Sequence, residues 1–256
     1  MGSKAGYQYR HRFSLVDETQ INSSFKSTLY DGAKTFVYEF RTTFILKKRP
    51  EEEESHDAER FDACVPENSN GHDLYWRGGN RLDEYWMTRD ESLSLANEAF
   101  AFAKQMVDND PQLGSPVPVV VDLDVCTVQR EGETFDACMD RAITAQKLVP
   151  LYLWYPAQTV EHKPSTMCGG TVFFLRDLGR MRVEHLQEGL ALMPVCPICS
   201  RGTNIGAQIS LLPCQHAFHS HCIVRLLESN KLTCPLCHSP VDVYISDHGT
   251  FSNVTI

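Results

Sequence analysis

The sequence predicts an α+β fold, with a small mixed α/β N-terminal region followed by a short C-terminal segment rich in cysteine and histidine. Apolar residues recur at a period of two in some segments, as in strands, and at helical spacing in others. The 256-residue chain is 42% hydrophobic and 22% charged, which is typical of a globular protein. Six of its ten cysteines lie between Cys196 and Cys237. This crowding sets the last fifth of the chain apart.

Residues 1–47 are predicted to be a β-rich N-terminal segment. The stretch "TFVYEFRTTFIL" (35–46) alternates apolar and polar side chains, which is typical of a half-buried strand. Its predicted buried face consists of Phe36, Tyr38, Phe40 and Phe44. The stretch "HRFSLV" (11–16) is a candidate partner strand.

Residues 48–82 are predicted to be an acidic linker or loop, because they are rich in turn formers and show no periodicity. From Glu51 to Glu84 there are eleven acidic residues against three arginines, nearly the whole of the net charge of −9. A chain this acidic is a poor candidate for general nucleic-acid binding, which normally uses a basic face.

Residues 83–193 are predicted to form a small α/β region whose function its residues do not indicate. The stretch "TRDE" matches a capping box, with Thr88 as the cap and Glu91 three residues later, so a helix should begin here. Leu95, Ala99 and Ala103 follow at helical spacing. Further elements are predicted at 118–125 (strand), 133–148 (helix), 151–155 and 170–178 (strands) and 182–193 (helix).

Residues 194–240 carry a pattern of metal ligands. Two C-x-x-C pairs bracket the stretch, and C-x-H-x-x-H-x-x-C lies between them. A C-x-x-C turn lets two thiolates converge on one zinc ion. Eight donors are the number that two closed tetrahedral zinc sites require.

The N-terminus lacks the apolar stretch of a signal peptide, so we expect reduced thiols and a cytoplasmic or nuclear protein.

The motifs "CPIC", "CQHAFHSHCI" and "CPLC" in this order resemble the RING finger of the two-histidine type, in a style similar to plant RING finger proteins. The resemblance covers residues 196–237; a PHD-like finger would carry cysteine at His216. It implies two structural Zn²⁺ ions in a cross-brace, in which His221 takes no part and is expected at the surface. One zinc would take Cys196, Cys199, His219 and Cys222, and the other Cys214, His216, Cys234 and Cys237.

The resemblance also implies a function. RING fingers bind a ubiquitin-conjugating enzyme and promote transfer of ubiquitin to a lysine of a protein substrate, by positioning and without a catalytic residue of their own. The contact residues carried over by position are Ile198, Leu226, Pro235 and His238. Active fingers often have Arg or Lys where this chain has His238. A neutral imidazole has one donor against five in arginine, so we expect weakened activity.

Two other functions remain open. The chain could be a zinc-stabilised interaction or dimerisation adaptor without ligase activity. A metalloenzyme is disfavoured, because both sites would be closed to water. Residues 1–193 would recruit the substrate or regulate the finger, 241–256 would be a tail, and no membrane span is predicted. Trp76 and Trp86 are candidates to anchor a partner motif, although packing against the folded domain is the simpler interpretation.

Overall fold

The computed structural model describes residues 6–16, 34–48, 52–151, 178–228 and 233–241. Apart from Leu151 and Leu178, the strands predicted at 151–155 and 170–178 lie outside the described residues, and so does the tail after Val241. The elements are β1 (Tyr7–Leu15), β2 (Thr35–Lys48), β3 (Glu52–Pro66), α1 (Gly71–Glu84), α2 (Arg89–Asn109), β4 (Val117–Val128), α3 (Phe135–Arg141), a 3-10 turn (Ala145–Lys147), β5 (Arg180–Arg182), α4 (Leu186–Leu192), β6 (Gln208–Leu211), β7 (Ala217–His219) and α5 (Ser220–Glu228). This mixture of helices and strands confirms the predicted fold class.

The N-terminal strands form a four-stranded sheet in the order β1-β4-β2-β3. The central pair, β2 and β4, is parallel, and the two outer pairings are antiparallel. The predicted buried face of β2 is confirmed, but the opposite face is largely buried as well, so β2 is not the half-buried strand that the alternation predicts. Its four aromatic side chains, Phe36, Tyr38, Phe40 and Phe44, are at most 1% exposed and belong to one core with α1 and α2.

Helix α2 begins where the capping box predicts. The Thr88 side chain accepts a hydrogen bond from the backbone N–H of Glu91, and the Glu91 carboxylate accepts one from the backbone N–H of Thr88 at 2.8 Å. These bonds satisfy two N–H groups that a helix start leaves unpaired. Leu95, Ala99 and Ala103 then point into the core.

Residues 48–82 are not the predicted linker, because they form all of β3 and most of α1. Near the end of β3, the alternate residues Phe61, Ala63 and Val65 point into the core. The ring of Phe61 stacks on that of Phe40 with centroids 4.6 Å apart. The acidic first half of β3 pairs with basic side chains of β1 and β2. Cross-strand ion pairs thus let an acidic stretch lie in a sheet.

Two predicted helices are shorter than the sequence suggested. The helix predicted at 133–148 ends at Arg141, because Ala142 takes up an extended backbone conformation before the 3-10 turn. The helix predicted at 182–193 begins only at Leu186, because Arg182 belongs to β5, which pairs with β6. Long-range strand pairing overrides local helical spacing here.

The C-terminal segment has its own small core beside the first. Strands β5, β6 and β7 form a three-stranded antiparallel sheet, and α5 packs on it through Ile223, Val224 and Leu227. Across the described ranges, every helix is too short or too polar to cross a bilayer.

Candidate metal centre and docking face

Two groups of four side chains meet the requirements of a metal site. One consists of Cys196, Cys199, His219 and Cys222, and the other of Cys214, His216, Cys234 and Cys237. In each group the donor atoms lie within 4.8 Å of one another. The two groups interleave along the chain, so each ties the middle of the segment to one of its ends.

The two C-x-x-C loops have the same backbone geometry. The N–H of Ser200 donates to the carbonyl of Cys196 at 2.8 Å, and the N–H of His238 donates to the carbonyl of Cys234 at 2.9 Å. Ser200 and His238 both have a positive φ, of 57° and 59°. Each chain reversal turns a pair of thiols toward one point, as a shared metal ion requires.

Strand β7 explains why the two histidines serve different groups. His216 immediately precedes β7 and His219 ends it. Side chains three positions apart in an extended chain point to opposite faces. The chain then enters α5, whose first turn carries Cys222 back toward His219. Because side chains alternate between the two faces of β7, His216 and His219 reach different donor groups.

The donor geometry fits zinc. The Sγ of Cys199 lies 3.3 Å from Nδ1 of His219, and the Sγ of Cys234 lies 3.5 Å from Nδ1 of His216. Tetrahedral zinc with bonds of about 2.3 Å to sulfur and 2.0 Å to nitrogen separates such donors by about 3.5 Å. Thiolates and imidazoles are also the ligands that zinc prefers. The residues therefore fit two closed structural zinc sites.

Crowding of the thiols perturbs their proton affinities. The contact between Cys196 and Cys222 lowers the pKa of Cys196 and raises that of Cys222. At the exposed Cys237, a hydrogen bond with Ser239 lowers the pKa to about 6. The three thiols of each group cannot all lose their protons at close range without a cation, which zinc supplies when bound.

Comparison with known proteins agrees with this geometry. Residues 194–238 match the family model described as "Ring finger domain". Residues 194–238 form a RING finger of the two-histidine type.

Several proteins are similar to this chain over the RING finger segment. Over 54 residues the chain is 41% identical to E3 ubiquitin-protein ligase RNF126 of Xenopus tropicalis, covering 21% of this chain and 16% of that protein. Over 59 residues it is 36% identical to probable E3 ubiquitin-protein ligase XERICO of Arabidopsis thaliana, covering 23% and 36%. Over 58 residues it is 38% identical to human RING finger protein 24, covering 23% and 38%. The matched segment thus spans well under half of each relative.

The chain is also similar to a solved structure. The crystal structure of the RING-H2 domain of Arabidopsis RMR1 is 29% identical, with a TM-score of 0.25, and covers 27% of this chain and 89% of that one.

His221, the histidine outside both groups, is not the exposed side chain that the sequence suggested. It is half-buried, and its ring stacks on that of His219 with centroids 5.4 Å apart and an interplanar angle of 10°. Burial and the neighbouring His219 lower the pKa of His221 to about 4. The side chain is therefore neutral at physiological pH.

The four predicted contact residues of the RING finger lie in two places. Ile198 and Leu226 both line a cleft of about 860 Å³, whereas Pro235 and His238 stand outside its lining. Ile198, Leu226 and Pro235 are half-buried and His238 is exposed. The structure thus brings the first two together but leaves their role a prediction.

Sequence reasoning missed the opposite wall of this cleft. Leu46 of β2 and Phe135 and Met139 of α3 line it together with the RING finger residues. No motif marks them, since they lie far apart in sequence and only the packing of the N-terminal region against the finger brings them together.

Proposed function

We propose that this protein is a RING-type ubiquitin-protein ligase that binds a ubiquitin-conjugating enzyme and promotes ubiquitin transfer to a substrate lysine. The observation that carries the proposal is that Ile198 and Leu226 line one cleft together with the donors Cys199 and Cys222. Sequence identity with E3 ubiquitin-protein ligases over the finger supports it.

The proposed reaction needs no nucleophile from this chain. The substrate lysine nitrogen attacks the carbonyl carbon of the ubiquitin thioester, a C–N bond forms, and the C–S bond breaks to release the conjugating enzyme's thiol. Bound zinc would hold the loops that shape the docking face. Ile198 and Leu226 would make apolar contact with the conjugating enzyme, and His238 would donate one hydrogen bond to the bound pair. Catalysis would then come from restricting the thioester to a reactive orientation.

The test is a ubiquitination assay with the full chain, activating enzyme, ATP, ubiquitin and a panel of conjugating enzymes. We expect ubiquitin chains with wild type, and a loss of about tenfold or more with Ile198→Ala, since truncation of a central apolar contact commonly costs that much binding. Val195→Ala is the matched control, because Val195 is apolar, 51% exposed and outside the cleft. Zinc content must be equal in all three proteins.

The second candidate function is a zinc-stabilised adaptor without ligase activity. His238 favours it, because this position carries a side chain with one donor rather than the five of arginine. Absence of chains with every conjugating enzyme in the panel would support the adaptor and contradict the ligase. In either case we propose that the N-terminal region recruits a substrate or regulates the finger.

A further inference from the structure

The cleft at Ile198 and Leu226 has two walls from different parts of the chain. One wall belongs to the RING finger and includes Ile198, Arg225 and Leu226. The other belongs to the N-terminal region and includes Leu46, Phe135 and Met139. The cleft volume of about 860 Å³ would accommodate a loop of several residues.

One hydrogen bond crosses between the two walls, and three others brace the N-terminal wall itself. Arg225 of α5 donates to the carbonyl of Gln146 in the 3-10 turn at 3.2 Å. The Lys147 ammonium group donates to the carbonyls of Met139, Asp140 and Ala142 at 3.2, 2.7 and 3.1 Å, so it caps the end of α3. The turn that touches α5 therefore also positions the helix that carries Met139.

The lining of the cleft combines apolar side chains with an excess of basic ones. Lys147, Arg201 and Arg225 line it against one carboxylate, Glu54. This local excess of positive charge stands in a chain whose net charge is −9. Such a lining favours a partner that presents carboxylates beside an apolar side chain.

The exposure of Met139 shows that this wall does not seal the finger. Met139 is 50% exposed although it faces a cleft with Ile198 and Leu226 on the other side. A wall that blocked the finger would bury such a side chain directly against the apolar contact residues. An exposed methionine beside an open apolar groove is instead typical of an interaction surface.

We propose that the N-terminal wall is a second docking surface for the ubiquitin-conjugating enzyme, with Met139 and Phe135 contacting the enzyme that Ile198 and Leu226 bind from the other side. The occupant is a segment of that enzyme with an apolar side chain flanked by acidic ones. This inference rests on the proposed ligase function. It makes α3 a determinant of which conjugating enzyme the protein accepts.

The test uses single-turnover discharge of ubiquitin from a conjugating enzyme that is active with the wild-type full chain, measured over a range of ligase concentrations. Met139→Glu would place a carboxylate against an acidic, apolar partner. We expect the ligase concentration for half-maximal discharge to rise about tenfold with the maximal rate unchanged. Met139→Leu should behave as wild type. Met181→Glu is the matched control, because Met181 is 45% exposed and lies outside the cleft lining.

The remaining outcomes separate failure of the second docking surface from failure of the ligase function. Unchanged discharge with Met139→Glu, while Ile198→Ala is impaired, would overturn the second docking surface and leave the ligase function standing. Faster discharge with Met139→Glu would mean that the wall obstructs the enzyme, and would overturn the inference as well. Wild type that discharges no conjugating enzyme would overturn the ligase function and this inference together.

Discussion

Arg180 of β5 donates from Nη1 to Oε1 of Glu84 at 2.9 Å, which joins the three-stranded C-terminal sheet to helix α1 of the N-terminal region. The Glu84 side chain is 1% exposed. Its second oxygen accepts from Arg81 at 3.0 Å and from the backbone N–H of Val149 at 2.9 Å. One buried carboxylate therefore fixes three segments, and the finger is anchored to the rest of the chain.

Replacing Glu84 should destabilise the protein strongly. Glu84→Gln keeps the shape but removes the charge that Arg81 and Arg180 share, and breaking a buried ion pair on one side costs about 3 kcal/mol. Urea unfolding at neutral pH would measure the free energy of unfolding. Asp83→Asn is the control, because Asp83 is the exposed neighbour. Equal stability of the two variants would contradict the anchoring role of Glu84.

Gly206 lies at the same junction and should not tolerate a side chain. Its φ is +87°, and a Cβ would lie 2.6 Å from the hydroxyl oxygen of Tyr7 and 3.1 Å from the ring of Trp86. Gly206→Ala should lower the free energy of unfolding by about 2 kcal/mol, from backbone strain and overpacking. Gly202→Ala is the control, since a Cβ at Gly202 would lie 3.6 Å from its nearest neighbour. Thermal unfolding measures both variants, and equal melting temperatures for Gly202→Ala and Gly206→Ala would refute the argument.

Asp62 should make stability depend on pH. Asp62 is 8% exposed and lies opposite Glu39 in the pairing of β2 with β3. Burial, and to a lesser extent the negative charge of Glu39, raises the pKa of Asp62 to about 7. The folded state therefore binds a proton that the unfolded state releases near pH 4, so this contribution stabilises the fold at low pH and is lost as the pH rises to about 7.

Asp62→Asn removes that titration. We expect the variant to be more stable than wild type at pH 8, by on the order of 2 kcal/mol, and the difference to vanish near pH 4. Thermal unfolding of both proteins across this range measures it. The comparison cancels the pH dependence of metal binding, which both share. A difference that grows toward acid pH would show that the sign is wrong.

His238→Arg should raise ligase activity. His238 is exposed at the end of the second C-x-x-C loop, where a guanidinium group could donate several hydrogen bonds to the conjugating enzyme and ubiquitin instead of one. We expect discharge to accelerate about fivefold, the effect of one added charge-assisted hydrogen bond. Gln215→Arg adds the same charge on a similar backbone, with φ 66°, and should have no effect. An unchanged rate in His238→Arg would refute the argument.

The sequence predicted those features that local pattern determines. The aromatic core face of β2 and the Thr88 capping box needed only neighbouring residues, and the two donor groups followed from ligand order and a family resemblance. The acidic charge of β3 concealed a strand, because its partners Arg10 and Lys47 lie on other strands. The alternation of Phe61, Ala63 and Val65 was the available signal for it. The wall at Met139 depends on packing between distant segments, which no local pattern encodes.

Metal content tests the central claim most directly, because the proposed docking face depends on two zinc ions that shape the RING finger. Elemental analysis combined with native mass spectrometry of the purified full chain should give two zinc ions per chain. Cys196→Ser and Cys234→Ser should each lower that number by about one, since each removes a ligand from a different site. Fewer than two zinc ions in the wild-type chain would contradict the account.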